Sequence, residues 1–178
     1  MAFYNGESVE PQPIARGARL AVDVGTVRVG VAASDPDGIL ASPVATLQRD
    51  RSVTYTIGGK IPAALPSDIT AIRELVEERW IKVIYIGLPK HLSGNQGSSA
   101  QMALTYADLI KRVVPEVEVR LIDERMTTVT AHQALHSSGK NSKKHRSVVD
   151  QVAAVVMLET ALETEKRTGE RAGSPVEA

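Results

Sequence analysis

Leu20-Ala21-Val22-Asp23-Val24-Gly25-Thr26-Val27-Arg28-Val29-Gly30-Val31-Ala32 decides how the rest of the chain is read. Small apolar residues recur at every second position, Leu20, Val22 and Val24, then Val27, Val29 and Val31. That period of two belongs to half-buried strands. Gly25-Thr26 interrupts it as a tight hairpin would, with Gly25 free to take a positive φ. Asp23 sits just before the turn and alternates against the Val22/Val24 face. A carboxylate there costs stability unless solvent, a donor or a metal satisfies it. An aspartate capping backbone amides near a turn is the ordinary explanation. Asp23 means more only if other acids can meet it.

Composition narrows the classes. At 178 residues the chain suits one domain with a real core. Apolar residues at 43% and charged residues at 24% are ordinary for a soluble globular protein. Aromatics at 3% argue against a base-stacking platform of Phe, Tyr and Trp. With 21 basic and 21 acidic side chains, only local clustering could mark a polyanion partner. The absence of cysteine removes disulfides, thiolate zinc sites and a Cys nucleophile. No apolar run approaches the ~20 residues of a membrane span, and no signal-peptide core is visible at the N-terminus. A cytoplasmic protein with no membrane attachment is expected, as a monomer or homodimer.

Residues 1–16 carry Gly6, Pro11 and Pro13 without periodicity and read as a tail. After the hairpin, Asp35-Pro36-Asp37-Gly38 is a turn, with Pro36 fixing φ and Gly38 permitting the reversal. A third antiparallel strand follows, centred on Val44 to Leu47. From Gln48 to Pro66 the pattern dissolves among Gly58, Gly59, Pro62 and Pro66, which predicts either a functional flap or a disordered insertion outside the core. A helix starts near Ser67, which can cap it, with Ile69, Ile72, Leu75 and Val76 on one face. Lys82 to Leu88 is apolar without alternation, as in a strand covered on both faces. A second helix is predicted over Ser98 to Val113, and a strand over Val117 to Ile122 that ends in Asp123-Glu124-Arg125. Thr127 to His136 suits a short helix, Ser137 to Arg146 a basic loop, and Val148 to Leu162 a last helix before a second tail.

Three antiparallel strands followed by helix, strand, helix, strand, helix predict an α/β fold. The expected form is a five-stranded mixed sheet with Asp23 on its central strand and helices on both faces. In open α/β sheets, sites gather beyond the carboxyl ends of strands. Asp23, Asp123-Glu124 and Asp150 are remote in sequence, yet this topology can bring them to one sheet end.

Four ordered blocks then stand out. They are Val22-Asp23-Val24-Gly25 with Arg28 and Gly30, and Ile86-Gly87-Leu88-Pro89 with Gly94. Asp123-Glu124-Arg125-Met126-Thr127-Thr128 with Ala131 comes next, then Val149-Asp150 with Ala153-Ala154. In these blocks, from about Arg19 to Leu162, the chain resembles the YqgF/RuvX family of the ribonuclease H-like superfamily. That family's names describe pre-16S ribosomal RNA nucleases and Holliday junction resolvases. The resemblance implies a ribonuclease H-like domain over 17–165 with an insertion at about 48–66, flanked by disordered tails over 1–16 and 166–178. It also implies a metal-dependent endonuclease with Asp23, Glu124 and Asp150 as catalytic residues and metal ligands. Maturation of the 5′ end of pre-16S ribosomal RNA is the first substrate reading, and four-way DNA the second. The segment 48–66 is longer than the family pattern, so no substrate contacts are implied there.

Phosphodiester cleavage needs a nucleophilic water, a stabilised leaving oxygen and relief of phosphate charge. Two hard cations held by carboxylates can serve all three. Mg²⁺ or Mn²⁺ accepts oxygen ligands without histidine or cysteine. Structured RNA or branched DNA would be the partner, with Arg28, Arg125, Lys143, Lys144 and Arg146 as phosphate contacts. Simpler explanations stand beside these. Ser147-Val148-Val149-Asp150 also reads as a helix start with an acid in its first turn. Arg125 could pair with a neighbouring acid, and the basic cluster could be a solvated loop. Period two faces Asp123 and Glu124 in opposite directions. A non-catalytic nucleic-acid-binding factor is the alternative from another class. A nucleotide-binding hairpin of the actin-like ATPase type is set aside, because no second Asp-x-Gly-Thr occurs.

Overall fold

The computed structural model describes residues 3–4, 7–8, 13–89, 97–124 and 143–177, with the backbone alone for 3–4, 7–8 and 143–147. Near the N-terminus, β1 (Phe3–Tyr4) and β2 (Glu7–Ser8) pair as a short antiparallel ladder. The main sheet follows: β3 (Ala18–Val24), β4 (Arg28–Ser34), β5 (Ala41–Gln48), β6 (Ile81–Leu88), β7 (Glu118–Asp123) and β8 (Ser174–Pro175). Their spatial order is β5-β4-β3-β6-β7-β8. β3, β4 and β5 form the antiparallel meander, β6 and β7 add in parallel to β3, and β8 closes the far edge antiparallel to β7.

Period two sorts β3 onto two faces. Leu20, Val22 and Val24 pack with α1 (Ser67–Arg79) and α2 (Ser98–Val113) in one core, which includes Ile69, Ile72, Ala107 and Ile110. Ala21 belongs to a second core on the other face, where α3 (Lys143–Thr168) contributes Ala154, Met157, Leu158 and Ala161. Each fully buried aliphatic side chain stabilises the fold by roughly 1.5–3 kcal/mol. β6 is buried on both faces, as its unbroken apolar run predicts, with Ile84 and Ile86 in one core and Val83 and Tyr85 in the other.

Several expectations need correction. The sheet has six strands, because residues 174–175 pair with Arg120 and Leu121. The segment 166–178, expected as a disordered tail, completes α3, buries Ala172 and then supplies β8. The expected tail over 1–16 likewise contains the β1–β2 ladder. Ser67 does not cap α1. The Asp50 carboxylate caps it from outside by accepting the Ser67 N–H at 2.7 Å. The segment after β5 is irregular but anchored. Tyr55 donates to Asp108, which also accepts the Gly58 N–H at 3.1 Å, while Tyr55, Ile61 and Leu65 pack on the first core. Gly25 takes no positive φ. Glycine is needed there because a Cβ would lie 2.7 Å from the Arg28 carbonyl oxygen, which accepts the Gly25 N–H. Gly38 does adopt the left-handed conformation, φ +67°. The helix expected over 127–136 lies outside the described residues.

Candidate metal and nuclease site

The face of β3 that turns toward α3 carries Arg19, Ala21 and Asp23. Arg19 pairs with Glu165 of α3 at 2.8 Å, and Asp23 lies at the other end of the same stripe. Opposite Asp23 in the ladder is Gly30 of β4. A Cβ on Gly30 would sit 2.1 Å from the Asp150 carbonyl oxygen, so the α3 backbone rests directly on this strand. Only glycine permits that approach. It brings Asp150 close enough to Asp23 for their charges to interact.

Glu124 arrives from β7. Ile122 belongs to the α3-side core and Val119 to the other, so alternation carries Glu124 toward α3 and Asp123 away from it. Glu124 lies over Gly87 of β6, where a Cβ would come within 2.5 Å of its Oε1. Asp23 and Glu124 are hydrogen-bonded to each other through their side chains. Burial, the Asp23 charge and that bond raise the Glu124 pKa to about 8, with Asp123 adding to the effect. Burial also raises Asp23, the Asp150 charge adds to it, and the bond from Glu124 opposes both. Both carboxyls are thus held above their ordinary range, because burial and their mutual repulsion disfavour two charges on the pair.

Asp150 and Arg28, expected as a metal ligand and a phosphate contact, form an ion pair with each other. Arg28 Nε donates to Asp150 Oδ2 at 2.8 Å. No three His, Asp or Glu side chains among the described residues are grouped tightly enough to hold a metal ion. Asp23 and Glu124 converge, and Asp150 stands beside them on Arg28. The structure also displaces the expected helix start. α3 begins at Lys143, so Asp150 lies well inside it and Ser147 is no cap. Lys143, Lys144 and Arg146 belong to the first turns of α3 rather than a loop, and their side chains lie outside the described residues. Arg125 lies outside them as well.

Sequence reasoning missed Gly87 as the seat of Glu124, and it gave no role to Arg49 and Arg51. Arg49 Nη1 donates to the Gly25 carbonyl at 3.1 Å and Arg51 Nε to that of Thr26 at 3.1 Å, so both grip the turn that follows Asp23. Nothing local marks such contacts, since they join segments remote in sequence.

A family described as RuvX, Holliday junction resolvase, matches residues 17–164. The chain belongs to this family. A protein of Kineococcus radiotolerans, provisionally named a pre-16S rRNA nuclease, is 49% identical over 160 residues, covering 90% of this chain and 78% of its own. A relative in Streptomyces avermitilis with the same provisional name is 48% identical, covering 91% of this chain and 96% of its own. Among solved structures, Thermus thermophilus RuvC in complex with a Holliday junction superposes with a TM-score of 0.54 at 11% identity. That match covers 89% of the RuvX-family chain and 99% of RuvC. At that identity the likeness establishes the fold, a ribonuclease H-like sheet with helices on both faces.

Proposed function

We propose that this RuvX-family protein is a divalent-metal-dependent endonuclease that matures the 5′ end of pre-16S ribosomal RNA. The reaction class follows from the family: a nuclease, hydrolysing phosphodiester bonds. The Asp23–Glu124 pair is the observation that carries the metal dependence. Two carboxyls so close that they share a proton, beside a third acid, offer hard oxygen ligands whose repulsion a cation relieves. Asp23, Glu124 and Asp150 would hold Mg²⁺ or Mn²⁺, two ions by the family resemblance. Once bound, the metal supplies an activated water and charge relief on the phosphate.

The chain's own residues do the rest. Glu124 releases its proton so that both buried carboxylates are charged, and Asp23 presents its oxygens from an interior strand of the sheet, paired on both sides. Arg28 meets Asp150 through Nε alone among the described residues, and its outer nitrogens are placed to bind a phosphate oxygen. Lys143, Lys144 and Arg146, with Arg125, add positive charge along the path of the nucleic acid. No helix among the described residues is long and apolar enough to cross a membrane, and work on a ribosomal RNA precursor places the protein in the cytoplasm.

The test is a cleavage panel of precursor RNA, single-stranded RNA and a four-way DNA junction, each with Mg²⁺, Mn²⁺ or chelator. Metal-dependent cutting of the precursor supports the proposal. Cutting of the junction alone makes the protein a resolvase. Binding without any cutting makes it a non-catalytic factor.

A further inference from the structure

We propose that Arg49 is a positioning residue for the acid site, holding the turn between β3 and β4 in place from the opposite face of the sheet. The inference rests on the nuclease reading above. That turn joins the two strands that lead into the site. Asp23 lies two residues before Gly25, and Arg28, whose Nε donates to Asp150 at 2.8 Å, follows Val27 directly. A displacement of the turn therefore moves Asp23 and disturbs, through Arg28, the hold on Asp150. Misplacing a reacting group by about 1 Å costs about a hundredfold in rate. Apolar packing does not fix the turn, since Thr26 is exposed and Val27 is 53% exposed. Its carbonyls are held instead. Arg49 donates from Nη1 to Gly25 at 3.1 Å and from its backbone N–H to Val27 at 2.8 Å. Arg51 donates from Nε to Thr26, between them, at 3.1 Å. Three successive carbonyls are thus tied to the start of the segment after β5.

Of the two arginines, Arg49 is the one anchored in the body of the protein. Its side chain is only 18% exposed and faces Asp68 Oδ2 through Nε at 3.4 Å. Its guanidinium lies over the Tyr106 ring, 5.1 Å from the centroid, within cation–π range. The Tyr106 hydroxyl donates to the same Asp68 oxygen at 3.1 Å. Asp68 stands on α1 and Tyr106 on α2, the helices of the core on the side away from α3. An arginine kept only for its ion pair would close on the carboxylate as a two-pronged hydrogen-bonded fork. Here the fork is not made. Arg49 Nε and Asp68 Oδ1 are both buried without a hydrogen-bond partner among the described residues. Buried polar atoms left unmatched are uncommon and call for a reason. The reason is the turn: the guanidinium forgoes the fork and sets Nη1 on the Gly25 carbonyl.

Two variants separate positioning from stability. Arg49→Met removes the hold on the turn but strands the buried Asp68 charge, so it should also lower the urea midpoint. Arg49→Met combined with Asp68→Asn removes both charges and should recover most of that stability. Both proteins should cut precursor RNA with kcat at least tenfold below wild type and KM within twofold of it. Both should bind Mn²⁺ at least fivefold more weakly by calorimetry. Hydrogen exchange on the chelated protein reads the turn itself. The Gly25 N–H, which donates to the Arg28 carbonyl at 2.8 Å, should exchange at least tenfold faster in the double variant, a larger change than at Ile84 in the core. Cleavage that returns together with stability overturns the proposal, as does wild-type exchange at Gly25. A raised KM at unchanged kcat, the mark of a direct RNA contact, also overturns it. Faster Gly25 exchange and weakened Mn²⁺ binding in a protein whose wild type cuts nothing overturn the nuclease reading alone.

Discussion

Gly30 and Gly87 each lie against an acid of the site, but against different atoms, and substitution separates their roles. A methyl on Gly30 meets the Asp150 backbone 2.1 Å away, so the helix itself must move. Gly30→Ala should cost about 1–3 kcal/mol in a urea melt, the usual penalty for overpacking. A methyl on Gly87 meets Glu124 Oε1 at 2.5 Å, the far end of a side chain rather than backbone. Gly87→Ala should therefore melt within about 0.5 kcal/mol of the wild type, yet lose at least roughly tenfold in cleavage as Glu124 swings off Asp23. Asp23→Asn keeps the side-chain shape and removes one of the converging charges. It should abolish cleavage without lowering the metal-free melting temperature, and the gain on adding Mn²⁺ should disappear. A fully active Asp23→Asn protein would reject the acid pair as the site.

At the scale of elements, the segment after β5 matters most because it lacks regular structure and still covers the core. Deleting residues 52–65 removes the partial burial of Tyr55, Ile61 and Leu65 and strips Asp108 of two donors. A loss on the order of 3 kcal/mol follows from the apolar part alone. With typical total stabilities of about 5–15 kcal/mol, the shortened protein should still fold, with a lower and broader melt. The sequence shows this segment's irregularity but not its anchoring, because Asp108 and Asp50 act on partners many residues away. The meander, α1, α2 and the parallel strands are legible because their apolar periods match their burial. The start of α3 is hidden because Lys143 to Arg146 has no apolar face, and a two-residue strand such as β8 leaves no periodic signal. Asp23 is legible as an acid in an apolar strand, whereas Asp150 needed the family blocks. Its engagement by Arg28 belongs to the tertiary structure alone.

Across the whole molecule, β3 ties the Arg19–Glu165 charge cluster to the proposed metal site on the same face, and their pH dependences have opposite signs. Burial alone would raise Glu165, but hydrogen bonds from Tyr85, Arg19 and Arg171 outweigh it and hold its pKa below the ordinary value. A lowered carboxyl contributes stability that is present above its unfolded value, 4.5, and is lost as pH falls through the folded value. Glu124 is raised instead, from 4.5 to about 8, so its contribution is full below 4.5 and is lost as pH rises through 8. The metal-free protein should thus be most stable around pH 5 and lose roughly 3–4 kcal/mol toward pH 8, at about 1.4 kcal/mol per pH unit between the two values. Urea melts in chelator at several pH values measure this. Glu124→Gln keeps a donor to Asp23 but cannot titrate, so it should flatten the slope between pH 5 and 8 and leave the acid limb unchanged. Glu165→Gln should alter the acid limb instead and cost about 3–5 kcal/mol, since it leaves the buried Arg19 charge without its partner. Adding Mn²⁺ to the wild type should reverse the slope above pH 5, because the metal requires deprotonated carboxylates and binds more tightly as they lose their protons. A chelated wild type that follows the same pH profile as Glu124→Gln would show that Glu124 does not hold the shared proton.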